Sequence, residues 1–418
     1  MKRIKYLIFG LRNLVIESEE GSSKGSIDFG SPSFGEFTRL MHYAQSVGIQ
    51  PIVFANHDWR FTTGTSEEVL SKRWGKVQWL IARKLGLPFK PQAAAMQAVL
   101  SRLGCEPNEV LYVGNFEDDM RTAVNGEVLF LNATWFGQRI VYGFKFPTPK
   151  DIAKFIDVFC LRSHDWHFSV NHGGLRYHSL APFSTMKPEY EVYSADARST
   201  AKFGLGQAEF WGRYLCSTMF LTGLYRDIDY MCPFPSHEAR SWRDPLRESL
   251  NTFAHCFRIK YIPDLVVRHT TSPTGHKNRH LMNHRVHLNT IHLNEHPVKS
   301  TTTGSQYAHS PLKRDKTVLV VDDICTEGYS LEAARAYLER TGVGVVSMSW
   351  LKTINKDFQE ITSTNGFKFD PYAPNKWSGA KLSLKTHGYH STMSDDDAYK
   401  ELHEKFTSYR KWDWPSGI

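Results

Sequence analysis

The string VLVVDDICTEGYS, residues 318–330, gathers residue types that together suit a phosphorylated sugar. Four apolar residues make a buried strand. Asp322 and Asp323 stand at its C-terminal end, where open α/β sheets place their ligands. Thr326, Gly328 and Ser330 then form a tight turn leading into a helix over 331–340, closed by Gly342. Backbone N–H groups at a helix start, with hydroxyls beside them, suit a phosphate. Carboxylates next to a phosphate need a separate task, and accepting hydrogen bonds from ribose hydroxyls is one. A strand capped by Asp and followed by a polar turn is the plainer reading, but it explains a lone Asp-Asp pair better than the full string.

The elements that must position these residues follow from the pattern around them. Strands are expected at 261–267, 318–324 and 343–350, and a helix over 207–224 with Phe210, Tyr214 and Leu221 on one face. Ahead of them, residues 1–150 alternate strand-like and helix-like segments: strands at 5–9, 52–55 and 110–113, helices at 92–103 and from 119. That rhythm is the mark of a parallel sheet. FPTPK at 146–150 reads as a boundary and 151–205 as a connector. A domain over 206–360 and an extension over 361–418, ending in an amphipathic segment at 397–409, complete the division.

The 318–330 string resembles the fingerprint of type I phosphoribosyltransferases: four apolar residues, two Asp, two residues, Thr-Thr-Gly, one residue and Thr or Ser. The resemblance implies that Asp322 and Asp323 bind the ribose 2′- and 3′-hydroxyls of phosphoribosyl pyrophosphate. It further implies that Thr326, Glu327, Gly328, Tyr329 and Ser330 cradle the 5′-phosphate, with Mg²⁺ bridging pyrophosphate and ribose beside the two aspartates. Two residues depart from the pattern. Glu327 stands where the family has Thr or another small residue, and a carboxylate there repels a phosphate. Thr326 occupies the position of the acidic base of purine-salvage members, which argues against ordinary purine salvage.

Upstream, IDYMCPFPSHEARSWRDPLRESLNTFAHCF resembles the start of ComF-type phosphoribosyltransferases. Pro235 and Ser236 fall in the pyrophosphate loop by that resemblance, followed by Arg240, Arg243 and Arg247. In the next segment Arg268, Thr274, Arg285 and Asn289 keep the family's order, and Lys277 lies near its usual Gln. Lys277, Arg279 and Arg285 belong to the flexible hood that the resemblance implies. Residues 231–315 hold twelve Lys/Arg, six Asp/Glu and ten His, as a hood over pyrophosphate requires. His276, His280 and His284 have i, i+4 spacing, which suits either a metal in a helix or contact with nucleic acid.

The start, IKYLIFGLRNLVIESE, resembles the first motif of haloacid dehalogenase-like (HAD-like) hydrolases, which make an aspartyl-phosphate. By that resemblance Gly10 replaces the nucleophile and Arg12 the acid/base aspartate. Ala55 takes the place of the Ser/Thr and Asn115 that of a metal-binding Asp, while Lys90 and Asp119 match. Without the nucleophile no aspartyl-phosphate forms, and without the carboxylates the Mg²⁺ site is dismantled. A Rossmannoid pseudo-phosphatase domain over 1–150, acting as scaffold or partner-binding module, is expected. Phosphate retained on Lys90 and Arg12 without turnover is the alternative.

Composition bounds the rest. The 418 residues carry a net charge of +8, which favours acidic partners. No apolar run reaches membrane-spanning length, no cleavable leader is evident, and the six cysteines form no CxxC pair. A cytoplasmic α/β protein of two sheet domains with reduced thiols is expected. Three functional classes remain open: a Mg²⁺-dependent phosphoribosyltransferase; a nucleotide-sensing or nucleic-acid-binding module without turnover; and a toxic effector. The third follows from a likeness of domain architecture to retron antiphage systems, with a reverse transcriptase and its RNA–DNA as hetero-oligomeric partners.

Overall fold

The computed structural model describes residues 4–17, 25–238, 245–272, 283–299, 303–394 and 397–418. Its first body is a six-stranded, all-parallel sheet: β1 (Tyr6–Phe9), β2 (Gln50–Ala55), β3 (Gln78–Ile81), β4 (Val110–Gly114), β5 (Leu129–Ala133) and β6 (Phe144–Phe146), in the order β3-β2-β1-β4-β5-β6. Helices on both faces make it a Rossmann-like α/β core. The Pro32–Ser46 helix shows why these elements form where they do. Ser31 Oγ accepts from Phe34 N, Pro32 occupies the first helical position, and Phe37, Leu40, Met41 and Ala44 are buried on one face. Strand and helix positions match the sequence pattern at 6–9, 50–55, 94–103, 110–114 and 117–125.

A second, mixed sheet comprises β7 (Phe168–His172), β8 (Leu175–Phe183), β9 (Tyr230–Pro233), β10 (Lys260–Tyr261), β11 (Thr317–Cys325) and β12 (Gly344–Thr353), ordered β10-β9-β11-β12-β8-β7. Only the β7–β8 pair is antiparallel. β11 is interior, flanked by β9 and β12, so it reads as a buried strand.

Three expectations need correction. The segment read as a connector supplies β7 and β8. Phe168, Val170, Leu175 and Tyr177 are buried and alternate with polar neighbours, and Gly173 and Gly174 turn the hairpin at positive φ of 58° and 95°. The strand expected over 261–267 is broken in two. Pro263 lacks an N–H, and Asp264 turns inward to accept from Val298 N and Asn294 Nδ2, so Val266–Arg268 pairs instead with Ile291–Leu293. The 361–418 extension is integral to the fold. Its Ser383–His387 strand pairs with Phe358–Ser363, and its Ala398–Tyr409 helix buries Leu402, Phe406 and Tyr409.

One apolar core runs through both bodies. Phe9, Phe37 and Trp74 at the first sheet join Phe159, Phe210, Trp211, Trp350 and Phe406. Trp211 stacks on Trp350 at 6.0 Å, and Phe210 meets Phe406 at 5.0 Å. All six cysteines are free. Among the described residues no helix is long and apolar enough to cross a membrane.

Candidate functional site

β11 delivers Asp322 and Asp323 at the point where its apolar run ends. Ser330 donates to Asp322 Oδ2 at 2.7 Å, and Asp323 N donates to Asp322 Oδ1 at 2.9 Å. Ile324 N donates to Asp323 Oδ1 at 2.6 Å. Burial, and then the adjoining Asp323 carboxylate, push Asp322 up to about 7, partly offset by the Ser330 hydrogen bond.

The turn that follows requires glycine. Gly328 has φ +83°, and a Cβ there would lie 2.4 Å from the Phe358 ring. The Tyr329–Glu339 helix starts directly after it, so its first-turn N–H groups face the loop without partners inside the helix. The Thr326 and Thr353 hydroxyls lie 3.2 Å apart. The Glu327 carbonyl accepts from Gln359 N, pinning the loop to the Phe358–Ser363 strand. The same strand is tied to the helix by a buried pair. Arg335 donates twice to Glu332, which also accepts from Ile361 N at 2.7 Å.

A residue that the 318–330 string does not contain feels the Asp322 charge. Arg268 is 4% exposed and donates to the Ser236 carbonyl and to Thr290 Oγ1, both at 2.6 Å. Burial lowers it to about 10, and the Asp322 charge acts the other way. Around it, Ser236 Oγ, His269 Nε2 and His287 Nδ1 are buried with no hydrogen-bond partner among the described residues. Burial pulls His287 down to about 3, aided by the Arg268 and His284 charges. A carboxylate pair can accept from hydroxyl donors, and a buried guanidinium can hold an anion.

Of the expected hood residues Arg285 is described. Arg285 donates to the Ala380 carbonyl at 2.9 Å. His284 Nε2 faces the Gln359 carbonyl at 2.8 Å, and its ring lies 4.7 Å from that of Tyr329. Lys277, Arg279, Thr274, His276, His280, Arg240 and Arg243 lie outside the described residues. Among the described residues no three His, Cys, Asp or Glu side chains converge on a metal position. Asp322 and Asp323 are hard oxygen donors, a chemistry that suits Mg²⁺.

The first body brings Lys90 and Asp119 together at the C-terminal ends of β1 and β4. Lys90 Nζ donates to Asp119 Oδ1 at 2.6 Å, and Tyr112 OH to the same oxygen at 2.9 Å. Asn56 clasps the Lys90 backbone through Lys90 N and Lys90 O. A Cβ on Gly10 would lie 3.0 Å from Asp119 Oδ1, so this carboxylate fills the space a side chain at position 10 would need. Asn115 is fully buried, donating to the Gly137 and Asn13 carbonyls at 3.2 and 3.5 Å. Arg12 lies over the Phe116 ring at 4.5 Å. With Gly10 and Asn115 in place of carboxylates, and Asp119 already paired with a lysine, this donor set does not fit Mg²⁺.

No protein-family model matches the chain, and no curated protein matches it. Among solved structures it is similar to a HAD-superfamily hydrolase, subfamily IA, variant 1, from Geobacter sulfurreducens PCA, at 13% identity over 37% of this chain and 100% of that one, TM-score 0.24. A HAD-superfamily hydrolase from Ehrlichia chaffeensis gives 16% identity over 38% and 98%, TM-score 0.27. An uncharacterized protein from Corynebacterium glutamicum gives 17% over 31% and 84%, TM-score 0.24.

Proposed function

We propose that the second body binds a phosphoribosyl compound, either phosphoribosyl pyrophosphate or a nucleotide, with Mg²⁺ at the C-terminal end of β11. The observation that carries this reading is the unit from Asp322 to Ser330. It places two carboxylates at the end of an interior strand, a glycine-dependent turn, and then a helix start. In this reading Asp322 and Asp323 accept from the ribose 2′- and 3′-hydroxyls. The loop and the first helical turn receive the 5′-phosphate. Arg268, buried among neutral partners, supplies a cation for the diphosphate. Asp322 and Asp323 would help hold Mg²⁺, which would supply charge neutralisation at the diphosphate. Phosphoribosyl transfer passes through an oxocarbenium-like state, so the side chains act by orientation and charge placement. Isothermal calorimetry of the full chain with phosphoribosyl pyrophosphate and Mg²⁺ is expected to give saturable heat. A flat titration sinks the proposal.

Glu327 in the phosphate loop favours a second reading, a nucleotide-sensing module without turnover; binding with no pyrophosphate release on adding acceptors would select it. The wider role by likeness of architecture is the effector of a retron-type antiphage system, held by a reverse transcriptase and its RNA–DNA. The basic composition of residues 231–315 supports contact with nucleic acid.

For the first body we propose a HAD-like scaffold without phosphatase chemistry. What supports this reading is the Lys90–Asp119 pair at 2.6 Å, which leaves that carboxylate already engaged. The protein with Mg²⁺ is expected to leave p-nitrophenyl phosphate intact. Turnover lost in Lys90→Ala would overturn this.

A further inference from the structure

Lys352 ends the apolar run of β12 and is completely buried. Its ammonium is held by two carbonyl oxygens, those of Thr326 and Lys356, and lies 5.3 Å from the Phe168 ring centroid and 5.7 Å from that of Tyr389. Carbonyls and ring faces compensate a desolvated cation only in part. The groups whose charges act on it are Cys325, Glu327, Asp357 and Lys356. Its contact with Thr326 places it at the loop where a phosphate is proposed to sit, and Glu327 is among the charges that act on it.

We infer that Lys352 is a positioning residue of the 326–330 loop, fixing the Thr326 carbonyl and supplying the buried positive charge that lets a loop containing Glu327 accept a phosphate. This rests on the phosphate reading of the loop. An incoming dianion gains from a cation already stripped of water, so the burial of Lys352 in the free protein is offset when the site fills.

The test is thermal denaturation of the full chain with and without ribose 5-phosphate, in wild type, Lys352→Met and Lys352→Gln. Gln retains a donor for the Thr326 carbonyl and removes the charge. Wild type is expected to gain melting temperature with the ligand. Both variants are expected to weaken its apparent affinity by about tenfold, the scale of one charge-assisted contact. A second readout is wild-type affinity between about pH 8 and 9, above the Asp322 value of about 7 and below the Arg268 value of about 10, where the ligand is already a dianion. Cys325, pushed up to about 11, and Tyr329, pushed up to about 12, stay neutral in that range. Burial lowers Lys352, so affinity is expected to fall as the pH rises. If wild type gains nothing from the ligand, the phosphate reading fails and this inference fails with it. If wild type gains and both variants gain equally, or if neither variant folds and the wild-type pH profile is flat, the inference alone is overturned.

Discussion

Replacing Asp322 and Asp323 together with Asn is expected to abolish phosphoribosyl pyrophosphate binding and to leave the ligand-free protein at least as stable as before. The two halves of this expectation have one cause. Adjacent carboxylates in a desolvated site oppose each other, and burial disfavours the charge of Asp322 further. Each charged acceptor lost to a ligand hydroxyl costs about 1.5–3 kcal/mol, so calorimetry should show a loss of about 100-fold or more. The pH dependence is signed. Folding raises the Asp322 carboxyl from 3.8 to about 7, so its contribution to stability is complete below the unfolded value. That contribution is lost as pH rises through the folded one. Between about pH 5 and 8 the melting temperature of the ligand-free wild type should therefore decline more steeply than that of Asp322→Asn. A wild-type slope equal to the variant's would show that Asp322 is not held protonated by its surroundings. Unchanged heats in the double variant would remove the aspartates from the ribose site.

The second large effect lies in the first body. Lys90 and Asp119 have side-chain exposures of 11% and 3%, and removing one partner of a buried pair leaves an uncompensated charge. Lys90→Met is expected to destabilise the protein by about 3–5 kcal/mol. The lower end is favoured because Tyr112 still donates to the same oxygen. Adding Asp119→Asn should recover most of the loss, since the orphaned charge then disappears. Urea denaturation of the two variants measures both. A single variant as stable as wild type would mean that water reaches Asp119 and the pair is not a structural anchor.

Much of this was legible in the sequence because its signals are local. The strand–turn–helix unit at 317–339 is a contiguous string, whereas Lys90 and Asp119 were readable singly and their pairing was not. What escaped depends on contacts between distant segments. β7 and β8 alternate buried and polar residues, but Trp166, His167, His172 and His178 obscure the period. The two glycines of the hairpin were the usable sign. Arg268 is a lone cation at the end of a short strand in the sequence, and nothing local tells that the Asp322 charge reaches it. Lys352 was visible only as a lysine closing an apolar strand, a position where a solvated end is the ordinary reading. Its burial arises from Phe168 and Tyr389, 184 residues before and 37 after it in the chain. The break at Pro263 needed no tertiary information, since proline cannot donate to a ladder.

The position of Asp119 also limits what Gly10 can become. Any side chain at Gly10 would set its first carbon 3.0 Å from the Asp119 carboxylate oxygen, in a space already closed by Lys90 and Tyr112. An acidic side chain there would meet like-charge repulsion as well as crowding. This end of the first sheet is closed to a second carboxylate for as long as Lys90 and Asp119 hold each other.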